Sequence, residues 1–318
     1  MMVGKVTPNT MMSASRIPAL LGMSKYASRN DTLQAVIQAH QGIEEPWKGS
    51  EAADWGNTLE PTILAEAAKR LQLRDLQLDH PEARFHPDLP LACSLDGTAD
   101  GGGQRLVSDP ASGIIVVGQD SISLDGIGVL EAKLTSSWPE DVPALDRGPL
   151  QLQAQMDIIG AKWGAVCVLY QGIELRIFLF APHPESLAAI SDAVFDFDRR
   201  VQFWRDTGAI DWYPADQAGD TERIFPVADD TQIDLPAHAA VLIDDMQRAA
   251  ADIEDAQARK TNAETDLKLL LGTATEGRLG STIVRWPMRH YKAQPEKITP
   301  AKAAYSIRQS TLALKEVK

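Results

Sequence analysis

One short stretch constrains the fold of this chain more than any other: Gly128-Val129-Leu130-Glu131-Ala132-Lys133-Leu134. A strand with one wet face alternates apolar and polar residues, whereas this run is close to continuously apolar. It therefore predicts a strand covered on both faces. Such a strand needs elements packed above and below it, which points to an α/β architecture. Glu131 and Lys133 interrupt the run two residues apart. Side chains at i and i+2 share one face of a strand, so acid and base project together while Ala132 turns into the core. An Asp-Gly pair, Asp96-Gly97, falls in a second predicted strand, Ala92 to Thr98. If that strand is the neighbour, two carboxylates and one lysine converge on a single point.

The rest of the chain fits the same class. Ser13 to Leu21 reads as a helix, with Ser13 or Ser15 as N-cap and Gly22 closing it. A second helix is expected near Asp31 to Gln41. Trp55 to Gln72 carries Leu59, Ile63, Ala67 and Leu71 at helical spacing. In that helix Pro61 suits only the first turn, which puts Glu60 at or just before the N-terminus. Ala83 to Phe85 is a short strand, and Ala99 to Gly126 is a Gly- and Asp-rich hairpin or insertion around Gly113 to Gly118. Leu150 to Gly160 is helical, Ala165 to Tyr170 and Glu174 to Ala181 pair as strands, and Glu185 to Asp206 is a long amphipathic helix. The order of helices and strands implies a mixed central sheet flanked by helices.

Beyond about residue 215 the character changes. Ala215 to Leu235 is acidic and loop-like. Leu235 to Leu271 is one long helix or a helical hairpin, and Ser281 to Trp286 is a strand after a break at Gly272 to Gly280. The expected organisation is a domain over 1–214 and a charged, mainly helical appendage over 215–318.

Composition sets limits without naming an activity. No run of about 18 apolar residues is present, so no membrane span is expected, and Met1 to Thr10 lack the pattern of a secretion signal. Cys93 and Cys167 lack metal-ligand spacing and read as reduced core residues of a cytoplasmic protein. The net charge of −13 argues against a polyanionic partner at face value. It is unevenly spread, however. Asp229 to Asp266 holds ten acids and three bases, and Leu267 to Lys318 reverses this with ten Lys or Arg against three Glu. Local charge governs contact, so nucleic acid stays possible.

Glu60, Asp96, Glu131 and Lys133 together suggest a chemistry. A hard cation such as Mg²⁺ takes carboxylate, carbonyl and water oxygens, and often uses few protein carboxylates plus substrate phosphate. Asp96 and Glu131 supply carboxylates, the Ala132 carbonyl can join them, and Glu60 can complete the site or serve a second metal. A bound metal acidifies water and neutralises charge on a phosphate, and Lys133 can orient the water or stabilise the transition state. That is metal-dependent phosphodiester cleavage.

Five segments, in order, make the chain resemble the lambda-type phage exonucleases (YqaJ-like recombinases) of the PD-(D/E)xK nuclease superfamily. They are Ser13-Ala14-Ser15-Arg16-Ile17, Trp55-Gly56-Asn57-Thr58-Leu59-Glu60-Pro61, Ala92-Cys93-Ser94-Leu95-Asp96-Gly97, Leu130-Glu131-Ala132-Lys133 and Gln151-Leu152-Gln153-Ala154-Gln155-Met156. They span about residues 10 to 210. The resemblance implies a restriction-endonuclease-like core with Asp96 and Glu131 as metal ligands, Glu60 as the helix carboxylate, Lys133 as catalytic lysine and Gln151 lining the active centre. It also implies that Ser15 and Ser94 hold a 5′-phosphate, with Arg16 as a further phosphate contact. Two positions depart from the pattern. Leu95 stands where proline is common, and no arginine precedes the first serine, Lys5 being the only base nearby. By the same resemblance the protein needs Mg²⁺, with Mn²⁺ as a substitute, and degrades one strand of duplex DNA from a 5′ end to leave a 3′ overhang. It would work as a homo-oligomer, a trimeric ring, with a single-strand annealing protein, in the cytoplasm of a bacterial host of a phage or prophage.

Two other readings use the same residues. One is a related endonuclease or structure-specific nuclease, which would cut circular DNA. The other is a DNA-binding assembly protein with a vestigial site. A [4Fe–4S] branch of the superfamily is excluded, since two cysteines cannot supply four ligands. The acidic helix or the basic tail could dock on the annealing protein or a neighbouring subunit, or the helix could be solvated and held by pairs at i and i+4.

Overall fold

The computed structural model describes residues 7–288 apart from 44–48, 79, 218 and 230. Its first elements are β1 (Met12–Ser13), α1 (Ile17–Leu20), α2 (Arg29–His40) and α3 (Glu51–Arg70). Eight strands follow: β2 (Arg74–Gln77), β3 (Arg84–Phe85), β4 (Leu91–Cys93), β5 (Gly97–Asp100), β6 (Gln104–Val107), β7 (Ile114–Val116), β8 (Ser121–Leu124) and β9 (Ile127–Thr135). Then come α4 (Pro149–Ile159), β10 (Gly164–Tyr170), β11 (Glu174–Phe180), α5 (Pro184–Thr207) and α6 (Asp220–Ile224). The last are α7 (Ala239–Leu271), β12 (Glu276–Leu279) and β13 (Thr282–Arg285).

A six-stranded mixed sheet in the order β2-β5-β9-β10-β11-β7 forms the centre, with β9 parallel to β10 and antiparallel to β5. Both faces of β9 are covered, as its apolar run requires. Leu130 joins Ile63, Leu64 and Ala67 of α3, and Leu71 just after it, in one core. Val129 joins Leu152, Val166, Phe178 and Ile190 in the other, beneath α1, α2, α4 and α5. Each such aliphatic side chain gains roughly 1.5–3 kcal/mol on leaving water. Trp163, fully buried, lies flat on Gly128 of β9, where a Cβ would stand 2.2 Å from its Cε2. Only glycine permits that approach.

Four local expectations change. Residues 13–21 do not make one helix: β1 pairs with β4, a 3₁₀ turn covers Ala14–Arg16, and α1 is a single turn from Ile17. Neither serine caps it through its side chain, because Ser13 is held in an extended pair. Helix α3 starts at Glu51, where the Ser50 side chain accepts from Ala53 N, so Pro61 lies inside the helix and Glu60 in its tenth position. An interior proline costs about 3 kcal/mol; the buried stripe of Ile63, Leu64, Ala67 and Ala68 outweighs it. Residues 92–98 are not one strand either. The chain leaves the small sheet β1-β4-β3 at Cys93 and enters the large one at Gly97, with Asp96 in the connection. In the 99–126 insertion, β6 and β8 pair as a hairpin while β7 adds the last strand of the main sheet.

The chain divides into two units after Pro226. Residues 215–226 belong to the first unit and are held by polar contacts to α2. The Ser28 hydroxyl donates to the buried Asp220 at 2.6 Å, and Arg223 pairs with Asp31 and Asp220. In the second unit α7 is a single helix of 33 residues with no buried side chain. It carries i, i+4 ion pairs between Asp244 and Arg248, Asp255 and Arg259, and Lys260 and Glu264. Strands β12 and β13 form a hairpin after it. The basic tail past residue 288, and Lys5, lie outside the described residues. Cys93 and Cys167 are buried free thiols, Cys93 pushed up to about 12 by burial and the Glu131 charge. No helix among the described residues is long and apolar enough to cross a membrane.

Candidate active site

Register brings the expected residues together. Gly97 of β5 pairs with Leu130 of β9, so Asp96, one residue before β5, meets the backbone beyond Leu130. The Ala132 N–H donates to Asp96 Oδ2 at 3.0 Å. Glu131 and Lys133 share the α4 face of β9, and Lys133 Nζ donates to Glu131 Oε1 at 2.6 Å. Ala132 turns to the opposite face and packs against the core under α3. Helix α4 crosses the Glu131–Lys133 face and presents two glutamines to it. Gln151 Oε1 accepts from Lys133 Nζ at 3.1 Å, and Gln155 Nε2 donates to Glu131 Oε2 at 2.8 Å. Both oxygens of Glu131, which is 1% exposed, are thereby held.

The charges act on one another. Burial, then the charges of Glu131 and Glu60, raise the Asp96 carboxyl well above the ordinary range, against the pull of Lys133 and the Ala132 amide. Glu60 is likewise raised by burial and by Glu131. Burial alone would lower Lys133, but Glu131, Asp96 and Glu60 outweigh it and keep its pKa above the usual value. Lys133 is therefore an ammonium at neutral pH. Three carboxyl groups crowd one ammonium, and the upward shifts of Asp96 and Glu60 mark an electrostatic setting that a divalent cation relieves.

Among the described residues no three His, Cys, Asp or Glu side chains are close enough to hold a metal ion between them. The donors that could hold one are the carboxylates of Asp96 and Glu131 with the Ala132 carbonyl. That set fits Mg²⁺, which commonly uses one or two carboxylates and completes its shell with water and substrate phosphate. Glu60 reaches this centre through its charge rather than a hydrogen bond.

The phosphate-binding candidates sit differently. The 3₁₀ turn of Ser15 and Arg16 packs beside β4 and α4. Ser15 Oγ lies 3.1 Å from Ser13 Oγ, and Arg16, partly buried, donates to the carbonyl and side chain of Asn9. Neither touches the acidic cluster. Ser94 is connected to it, because its carbonyl accepts from Gln155 Nε2 at 3.2 Å.

Gln155 is the residue that sequence reasoning passed over in favour of Gln151. It is fully buried, its Nε2 joins Glu131 to Ser94, and its Oε1 has no hydrogen-bond partner. Helical periodicity carried the signal: residues 151 and 155 share a face at i, i+4, while 153 points away. Gln153 indeed serves the fold, donating to the Ala181 carbonyl and accepting from His183 N.

Residues 7–160 match the family described as the YqaJ-like viral recombinase domain. Solved structures similar to the chain include the alkaline exonuclease LHK-Exo from Laribacter hongkongensis, at 17% identity over 63% of this chain and 94% of that one, with a TM-score of 0.45. LHK-Exo in complex with dAMP gives 18% identity, 63% and 95% coverage and the same TM-score. A phage related exonuclease from Haemophilus somnus 129PT gives 12%, 61% and 96%, with a TM-score of 0.36. No curated protein matches at a significant level. The matched segment runs from the turn before β1 to the end of α4 and so contains every candidate site residue; over residues 7–160 the chain is similar to the YqaJ-like viral recombinase domain.

Proposed function

We propose that the protein is a metal-dependent exodeoxyribonuclease that removes nucleotides from the 5′ end of duplex DNA and leaves a 3′ single-stranded overhang for phage-type recombination. The observation that carries this is the Lys133 ammonium fixed between Glu131 and Gln151 while Asp96 is held beside it by the Ala132 amide. Asp96, Glu131 and the Ala132 carbonyl would hold Mg²⁺ or Mn²⁺, with Glu60 as a further carboxylate. A divalent cation held there would supply an acidified water and offset charge on the scissile phosphate. The Lys133 ammonium is placed to donate to the attacking water or to a phosphate oxygen, and so to stabilise charge in the transition state. Gln151 fixes the ammonium, and Gln155 fixes Glu131. Ser15, Ser94 and Arg16 serve the terminal 5′-phosphate. Catalysis resides in the first unit, residues 1–214 together with 215–226 held against them, and the charged helical segment from 227 is the appendage. The active form is a homo-oligomer, a trimeric ring, working with a single-strand annealing protein in the cytoplasm of a bacterial host.

The test is digestion of linear and circular duplex, with 5′-phosphate and 5′-hydroxyl ends, in Mg²⁺ and after chelation. Linear duplex should release nucleotides, circular duplex should persist, and chelation should stop the reaction. Glu131→Ala and Lys133→Ala should each lose at least about two orders of magnitude in rate, the usual worth of one preorganised electrostatic group. Full activity in both variants would refute the site, and cutting of the circle would replace the exonuclease reading with the endonuclease one.

A further inference from the structure

Helix α7 exposes a regular stripe, apolar at eight of nine positions, that nothing among the described residues of its own unit buries. Leu242, Met246, Ala249, Ile253, Ala256, Lys260, Ala263, Leu267 and Leu270 succeed one another at alternating spacings of four and three. Such a repeat, sustained over the length of the helix, is a coiled-coil seam. Leu242, Ile253 and Leu270 are 65%, 70% and 84% exposed. Two of the three i, i+4 ion pairs, Asp244–Arg248 and Asp255–Arg259, lie off the seam and solvate the helix without accounting for the repeat; the third joins Lys260 of the seam to Glu264.

We propose that this seam is an interface between two copies of the chain, with the two α7 helices antiparallel. The argument is complementarity of size and charge. One seam row is large (Met246, Ile253, Leu267) and the other is mostly small (Ala249, Ala256, Ala263). In an antiparallel pair the rows face each other. The register with the greatest overlap sets Ile253 against Ala256, Met246 against Ala263 and Leu242 against Leu267, each twice by symmetry. Large side chains then fill the space left by small ones, as close packing requires. A parallel pair would instead stack alanine on alanine in three layers and oppose two Lys260 ammonium groups in a core layer. Antiparallel, Lys260 lies over Ala249, its stem covering the methyl and its head reaching water. Beside the central layers Asp252 meets Arg259 of the other helix, twice. The outer Asp245 and Asp266 also meet, at the ends of the pair where solvent screens them.

The test uses the full chain. Ile253→Asp alters a side chain that is 70% exposed in the single copy, so helicity by circular dichroism should be kept while the mass by analytical ultracentrifugation falls twofold, whether the species released is a single chain or the ring proposed above. For orientation, Ala249→Cys and Lys260→Cys are oxidised separately and mixed; Cys93 and Cys167 are buried and leave the background low. The mixture should form a disulfide-linked dimer and neither variant alone should. A dimer from Ala249→Cys alone would mean a parallel pair and overturn the proposal. So would an unchanged mass for Ile253→Asp, or failure of the mixture to cross-link. Truncation after Met288 should leave the cross-link unchanged; a cross-link that formed only after truncation would assign the seam to the chain's own tail and overturn the proposal. None of these readouts depends on nuclease activity.

Discussion

Replacing Gln155 by leucine separates what this side chain does for the site from what it does for the fold. The substitution keeps the approximate volume, so no large cavity opens in α4. It removes the donor that holds Glu131 Oε2 at 2.8 Å and the Ser94 carbonyl at 3.2 Å. A hydrogen bond to a charged group contributes about 1.5–3 kcal/mol net. The same change also removes Oε1, a buried acceptor without a partner, and relief of such an atom returns about 1–3 kcal/mol. The two terms oppose each other at similar size, so the net change in stability should stay within about 1 kcal/mol. For a unit of this size that is a melting shift of about 2–4 °C. Activity has no such compensation. Glu131 keeps Lys133 but loses the bond that fixes its second oxygen, and a small misplacement of a catalytic group can cost about 10²-fold. Thermal melting and single-turnover digestion of 5′-phosphorylated linear duplex, on the same preparation, make the comparison. A Gln155→Leu protein with wild-type turnover would refute the positioning role. A loss of more than about 3 kcal/mol with proportionate inactivation would show the residue to be structural instead.

Two further outcomes test the fold around the site. The buried Asp220 is raised by desolvation, but the Ser28 hydroxyl, the Asp216 and Gln217 amides and the Asn30 side chain outweigh this and hold its pKa below the ordinary value. A carboxylate with a depressed native pKa contributes stability that is complete above its unfolded value near 4 and is lost as pH falls through the native one. Ser28→Ala should therefore flatten the acid limb of a denaturation profile and, by also removing the α2 capping box, cost about 2 kcal/mol at neutral pH; an unchanged profile between pH 5 and the acid midpoint would contradict the linkage. Gly128→Ala should cost at least about 2–3 kcal/mol by overpacking, because its methyl would meet three atoms of the buried Trp163 ring within 2.4 Å; a chemical denaturation midpoint equal to wild type would refute this contact.

Periodicity made most of the architecture readable. The unbroken apolarity of Val129-Leu130 reported a strand with a core on each face, and those two residues do enter different cores. The i, i+2 relation put Glu131 and Lys133 on one face, and their 2.6 Å contact is its direct consequence. What escaped was set by contacts distant in sequence. Pro61 reads as a helix start until the burial of Ile63, Leu64 and Ala67 is known, since only tertiary packing outweighs its local cost. Asp220 looked like one more acid in an acidic loop, because its partner Ser28 lies 192 residues away. Gln155 was readable in principle from helical spacing, but its partners, Glu131 and the Ser94 carbonyl, are known only once α4 is placed.

The position of the acids follows from side chains that are missing as much as from those present. Gly97 succeeds Asp96 directly, and a Cβ there would stand 2.9 Å from Cδ1 of the buried Leu64. Gly128 lies three residues before Glu131 beneath Trp163. With these two glycines α3 can close on β5 directly after Asp96, and Trp163 on β9 three residues before Glu131. Asp96 then lies where the Ala132 amide reaches it at 3.0 Å. A bulkier residue at either position would collide with Leu64 of α3 or with the Trp163 ring and force the sheet away from the element packed on it. The burial that raises Asp96 and Glu60 and the register that joins Asp96 to β9 therefore have one origin. Close packing of the two cores brings the carboxylates together against their mutual repulsion, and Lys133 offsets only part of that cost.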